Sequence, residues 1–160
     1  MYTVLFNYWR RASFFFVLAL LLYIYLSLPD SVAFKHNETG RPIGFVDKQR
    51  FFYISAGVII GLDFVFGLVK SQFGKIDFDK IIKHKEGYIK DALSGWINTL
   101  LAFINTYLVF ALMGLQTINK EVSQNLDRDY TWFLIIGVVL FLFILFYIPL
   151  KLLLGKPTSN

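Results

Sequence analysis

An all-α integral membrane protein is the fold this sequence predicts: a four-helix bundle with a structured loop between helices 1 and 2. Three observations carry that prediction. Apolar residues make up 56% of the chain and aromatic residues 19%, above the usual range of soluble domains. The excess is gathered into four blocks, each near the roughly 20 residues that a bilayer's hydrocarbon core demands. The 160 residues leave too little chain between those blocks for a second, soluble domain.

Block one covers about residues 12–28, after an aromatic lead that ends in Arg10 and Arg11. Charge ahead of an apolar core also fits a signal peptide. The length of the block and the lack of a small-x-small cleavage site argue for a retained helix. Block two spans about 51–69 and carries Gly57 and Gly61, a small-xxx-small pair that lets another helix approach closely. Block three, about 92–115, is the most polar, with Ser94, Asn98, Thr99, Asn105 and Thr106. Block four, about 130–154, is almost pure Leu, Ile, Phe and Val, with Pro149 near its end. Trp96 and Trp132 stand near block starts, as residues of an interfacial belt do.

Lysine and arginine placement predicts the threading. With the N-terminus inside, ten of the 16 basic residues fall on the cytoplasmic side and six on the other. Both termini are then cytoplasmic, in a bacterial inner membrane. The 29–50 loop faces outside. The 70–91 loop faces inside, where Phe78, Ile81, Ile82 and Ile89 at near-helical spacing among lysines read as an interfacial helix. The net charge of +5 is spread over short loops, which excludes a nucleic-acid patch and fits topology setting and contact with anionic lipid.

Asp63 is the one acid within an apolar block, and an intramembrane ionisable group marks a functional site or an interhelical contact. It lies six residues before the end of block two. Asn98 lies six residues after the start of block three, which runs back, so the two reach equal depth. Asn105, seven residues beyond Asn98, shares its face. The three are expected either to form a polar relay, as in a small transporter, or to bind the helices together. No cysteine is present, so thiolate metal sites and thiol nucleophiles are excluded. The two histidines, His36 and His84, fall on opposite sides of the predicted membrane. No hydrolase, phosphate-loop or dinucleotide motif occurs. The reading is a non-enzymatic protein without cofactor or metal.

The 29–50 loop is the most patterned polar stretch. Pro29 sets the exit from helix 1, and Asn37 with Gly40 suits a tight turn. Lys48 and Arg50 stand at the start of helix 2, within reach of headgroups. The stretch resembles the DUF1648 domain of small bacterial membrane proteins, a group that includes relatives of the immunity protein against a sporulation-delaying toxin. Leu28, Pro29, Val32, Asn37, Gly40, Pro42 and Lys48 occupy the matching positions. Ala33 stands where the group has proline, and His36 lies one place beyond its histidine. The resemblance covers about 35 residues. It implies a role in toxin immunity, sensing or envelope stress, with an extracellular peptide as partner. An accessory subunit of a membrane complex, or a homo-oligomer packed through Gly57 and Gly61, is the other reading.

Overall fold

In a computed structural model the backbone is described for residues 2–76, 86–126 and 131–154, and the side chains for 4–76, 90–126 and 132–146. Four helices and one hairpin follow in order: α1 (Tyr2–Ser27), β1 (Ser31–His36), β2 (Pro42–Asp47), α2 (Lys48–Lys75), α3 (Glu86–Lys120) and α4 (Thr131–Leu154). Three helices are long and apolar enough to cross a membrane: Val4–Ser27, Lys48–Lys75 and Lys90–Lys120. In α4 the apolar stretch of described side chains is shorter, Trp132–Phe146. The expected interfacial helix around Phe78, Ile81 and Ile82, and His84 with it, lie outside the described residues.

Helices outrun the apolar blocks. α1 begins ten residues before the block, so Arg10 and Arg11 are helical. α3 continues to Lys120, which puts Gln116 and Asn119 on a helix face and not in a connecting loop. A helix satisfies its own backbone groups and so extends through polar residues beyond the hydrocarbon.

α1 and α3 form the principal contact. Positions 98, 102, 105, 109, 112, 116 and 119 of α3 are all buried and alternate in steps of four and three. Val17, Leu21 and Ile24 of α1, and Leu28 just after it, are buried at the same kind of spacing. Matching heptad stripes give a left-handed seam of low crossing angle. The two helices run parallel: Arg10 meets Asn98 at one end and Ser27 meets Gln116 at the other. Two parallel helices need a long return between them, and the hairpin with α2 supplies it.

α2 lies lightly on this pair, and Ile59 is its one buried side chain. Asp47 caps its first turn, its Oδ1 accepting from the Gln49 and Arg50 amides at 2.9 and 3.2 Å. The Lys48 ammonium sits 5.0 Å from the Tyr25 ring centroid, which ties α2 to the end of α1 by a cation–π contact. The expected approach of a helix to Gly57 and Gly61 is not made among the described residues. A Cβ at either would meet nothing within 4 Å.

α4 docks on α3 through Gly137 and Trp96. The Tyr107 ring presses on Gly137 and stacks on Phe133 at 4.8 Å, nearly parallel. Trp96, expected in the interfacial belt, instead donates its indole N–H to the Ile144 carbonyl at 2.8 Å. Gly137→Ala forces a methyl into the Tyr107 ring and is expected to cost about 1–3 kcal/mol. Gly57→Ala is the silent control, and thermal unfolding of both proteins in detergent micelles makes the comparison.

Candidate functional site

The seam between α1 and α3 ends in a polar cluster on one side and in the hairpin on the other. At the first end Arg10 points from α1 toward α2 and α3. Its Nε and Nη2 donate to Asp63 Oδ1 at 3.1 and 2.8 Å. Its Nη1 makes a long contact of 3.5 Å with Asn98 Oδ1. Lys70 Nζ donates to the same Asn98 oxygen at 3.2 Å. Asp63 and Asn98 thus meet in one cluster, as their equal depth predicts, but through Arg10 and not directly. A charge-assisted pair of this kind removes an isolated carboxylate from the apolar span.

Asn105 does not join them. It is fully buried two turns further along α3, and neither side-chain polar atom has a hydrogen-bond partner. The Asn98 Nδ2 is likewise buried and unpaired. The three expected partners therefore do not form one relay or one contact. Arg10 satisfies Asp63, and Asn105 is a buried amide among apolar neighbours.

At the other end the hairpin is built as its turn residues dictate. Gly40 N donates to the Asn37 carbonyl at 3.0 Å, and Gly40 then takes φ +76°. That is a tight turn followed by a left-handed residue, the usual three-residue hairpin closure. The Asn37 Oδ1 accepts from the Thr39 amide, the Thr39 hydroxyl and the Arg41 amide at 2.8–3.1 Å, so the side chain organises the whole tip. β1 and β2 pair antiparallel, Ser31 with Asp47 and His36 with Pro42, with irregularities at Phe34 and Ile43. The base closes where Lys48 N meets the Asp30 carbonyl at 3.0 Å, just after Pro29 ends α1.

β1 has a second neighbour on its far edge, the end of α3. Asn119 acts there as a strand would: its Oδ1 accepts the Ala33 amide at 2.7 Å and its Nδ2 donates to the Ala33 carbonyl at 3.1 Å. Gln124, at φ +49°, donates through Nε2 to the Ser31 carbonyl at 2.9 Å. Its own carbonyl accepts from His36 Nε2 at 2.9 Å. Leu126 N reaches the Gly40 carbonyl at 2.8 Å. A Cβ on Gly40 would lie 2.6 Å from the Leu126 oxygen, so Gly40 serves both its own φ and this approach. His36, singled out for a recognition motif, is thus a brace within the fold. Gln116 adds a bond to Ser27 at 2.7 Å beneath it.

What remains open is the edge of β2. Among the described residues the sheet has two strands and no third beside β2, and Ile43 and Phe45 are each about half exposed. Arg10, Lys70, Gln116, Asn119 and Gln124 are participants that sequence reasoning missed. The signal for Asn119 was its seven-residue register with Asn98, Asn105 and Leu112. Among the described residues no group of three His, Asp or Glu side chains converges on a metal position. Comparisons with protein-family models, curated proteins and solved structures give no match.

Substitutions at Asp63, Arg10 and Asn105 test this account. Asp63→Leu leaves Arg10 without its counter-ion and is expected to cost about 3 kcal/mol, whereas adding Arg10→Leu restores most of the loss; the double-mutant cycle of these two substitutions, from denaturant titration in micelles, measures it. Asn105→Leu replaces an unpaired buried amide by an apolar side chain of the same heavy-atom count and branching and is expected to raise stability by about 1 kcal/mol.

Proposed function

We propose that this is a non-enzymatic, multi-pass protein of a bacterial cytoplasmic membrane that recognises a peptide outside the cell through its hairpin. Both termini are cytoplasmic in this reading, following the distribution of basic residues. The observation that carries it is the asymmetry of the hairpin. One edge is closed by Asn119, Gln124 and Leu126, and the other carries no strand among the described residues and is flanked by Ile43 and Phe45. A rigid strand with one open edge can accept an extended peptide by main-chain pairing, with alternate side chains supplying selectivity. The resemblance to the DUF1648 group directs the proposal to toxin immunity, in which the hairpin would bind an extracellular peptide toxin. Sensing of envelope stress is the same recognition with a different output.

The test is complementation. Deleting the gene is expected to sensitise the bacterium to a membrane-active extracellular peptide, and the wild-type gene to restore resistance. Ile43→Asn with Phe45→Asn is expected to lose at least about tenfold of that protection, with wild-type amounts of protein in the membrane. Unchanged sensitivity after deletion removes the reading.

A second reading has its own observation. Gly57 and Gly61 lie on α2 with no described atom within reach of a Cβ, and α2 has only one buried side chain. That face would suit a helix of another subunit or of a second copy. A protein that co-purifies at constant ratio in mild detergent, and is lost on Gly61→Leu, distinguishes the subunit reading.

A further inference from the structure

The charge at the Arg10 end does not balance. Arg10, Arg11 and Lys70 are three cations grouped about one carboxylate, Asp63; Asp91, exposed on α3 seven residues before Asn98, is a second carboxylate at this end, where Lys75 and Lys90 also lie. The Lys70 side chain is partly buried, and Arg10 and Arg11 both lie within electrostatic reach of its ammonium. Arg11 is exposed on α1 and makes no hydrogen bond or ion pair within the described chain. Lys70 has one partner, the neutral Asn98 oxygen.

Lys70 also points the unexpected way. A lysine near the end of a membrane helix normally extends toward the water to keep its ammonium hydrated. Here the ammonium reaches back toward Asn98, whose level along the helices is that of Asp63, seven residues earlier on α2. Bringing like charges together at the edge of a low-dielectric span costs free energy unless an anion joins them. The Asn98 Nδ2, in a residue only 1% exposed, is an unpaired donor in the same cluster. A guanidinium fork with one weakly used nitrogen, an ammonium with two free hydrogens and an amide donor match the oxygens of a phosphate.

We propose that Arg10, Arg11, Lys70 and Asn98 seat the headgroup phosphate of an anionic phospholipid at the α1–α2–α3 junction. A lipid and not a free phosphate is the occupant because the site opens beside lipid-facing surface. Phe64 and Leu68 on α2 and Tyr8 on α1 are about half or more exposed, and they offer apolar flanks for acyl chains next to the cations. Basic pockets between membrane helices bind anionic headgroups on this principle. The site is at the opposite end of the seam from the hairpin, so it stands or falls separately from peptide recognition.

The experiment is lipid titration of the full chain purified in neutral detergent, read by native mass spectrometry and by thermal shift. Phosphatidylglycerol is expected to remain bound and to raise the melting temperature, and phosphatidylcholine to do neither. Lys70→Gln and Arg11→Gln are each expected to weaken phosphatidylglycerol about fivefold. Arg41→Gln, in the hairpin, is expected to leave it unchanged. Arg11 is exposed, so its variant reads the site even where Lys70→Gln impairs folding. Equal retention of both lipids, or an equal loss from Arg41→Gln and Arg11→Gln, overturns the proposal. Equal protection by millimolar inorganic phosphate also overturns it, since the occupant would then be the free ion.

Discussion

Everything in this molecule hangs on the parallel pairing of α1 with α3. Two parallel helices in a bilayer gain no hydrophobic energy from touching, since lipid tails are as apolar as leucine. Their register must come from shape and from polar contacts. Here the polar contacts are placed at the two ends of the seam, Arg10 with Asp63 and Asn98 at one, and Ser27 with Gln116 at the other. Residues 10 and 27 are about 26 Å apart along α1 at 1.5 Å per residue, close to the thickness of the hydrocarbon core. The apolar heptad stripe fills the span between them. Sliding either helix by one turn would strand a guanidinium or an amide in hydrocarbon.

The other elements take their places from that pair. α2 touches it through Ile59, the Arg10–Asp63 bridge and the Tyr25–Lys48 contact, and leaves most of its surface to lipid. α4 adds itself to the far side of α3 through a glycine and one indole hydrogen bond. The hairpin is held by the last turn of α3 and the six residues after it. A two-stranded hairpin alone is marginal in water, and the Asn119 amide gives this one the edge bonds of a third strand.

Much of this was legible in the residues and some was not. Apolar blocks mark the helices, because the bilayer leaves few alternatives for 20 apolar residues. They do not mark helix ends, because helices continue through charged turns. Arg10 and Lys70 therefore read as flanking charges, while in the fold they reach back into the span. The depth of Asp63 and Asn98 follows from arithmetic along two helices, but their link depends on a third helix whose rotation no pattern reveals. Asn37 and Gly40 announce their turn through their own chemistry. The strands on either side are six residues each, interrupted by Gly44 and two irregularities, and too short for alternation to stand out. Asn119 lay hidden because the segment around it was read as a connection.

The clasp on β1 has a consequence for how the chain is made. Its bonds join residues 86 to 93 positions apart in sequence. When β1 and β2 leave the synthetic machinery they can pair with each other, but the far edge of β1 has no partner until α3 has been made and set beside α1. Until then the hairpin has two bare edges, the state in which strands add to foreign chains. Asn119 and Leu126 arrive last and close one of them. Completion of the hairpin thus waits on insertion of the third helix, and a hairpin closed on that side reports that the α1–α3 seam beneath it has formed.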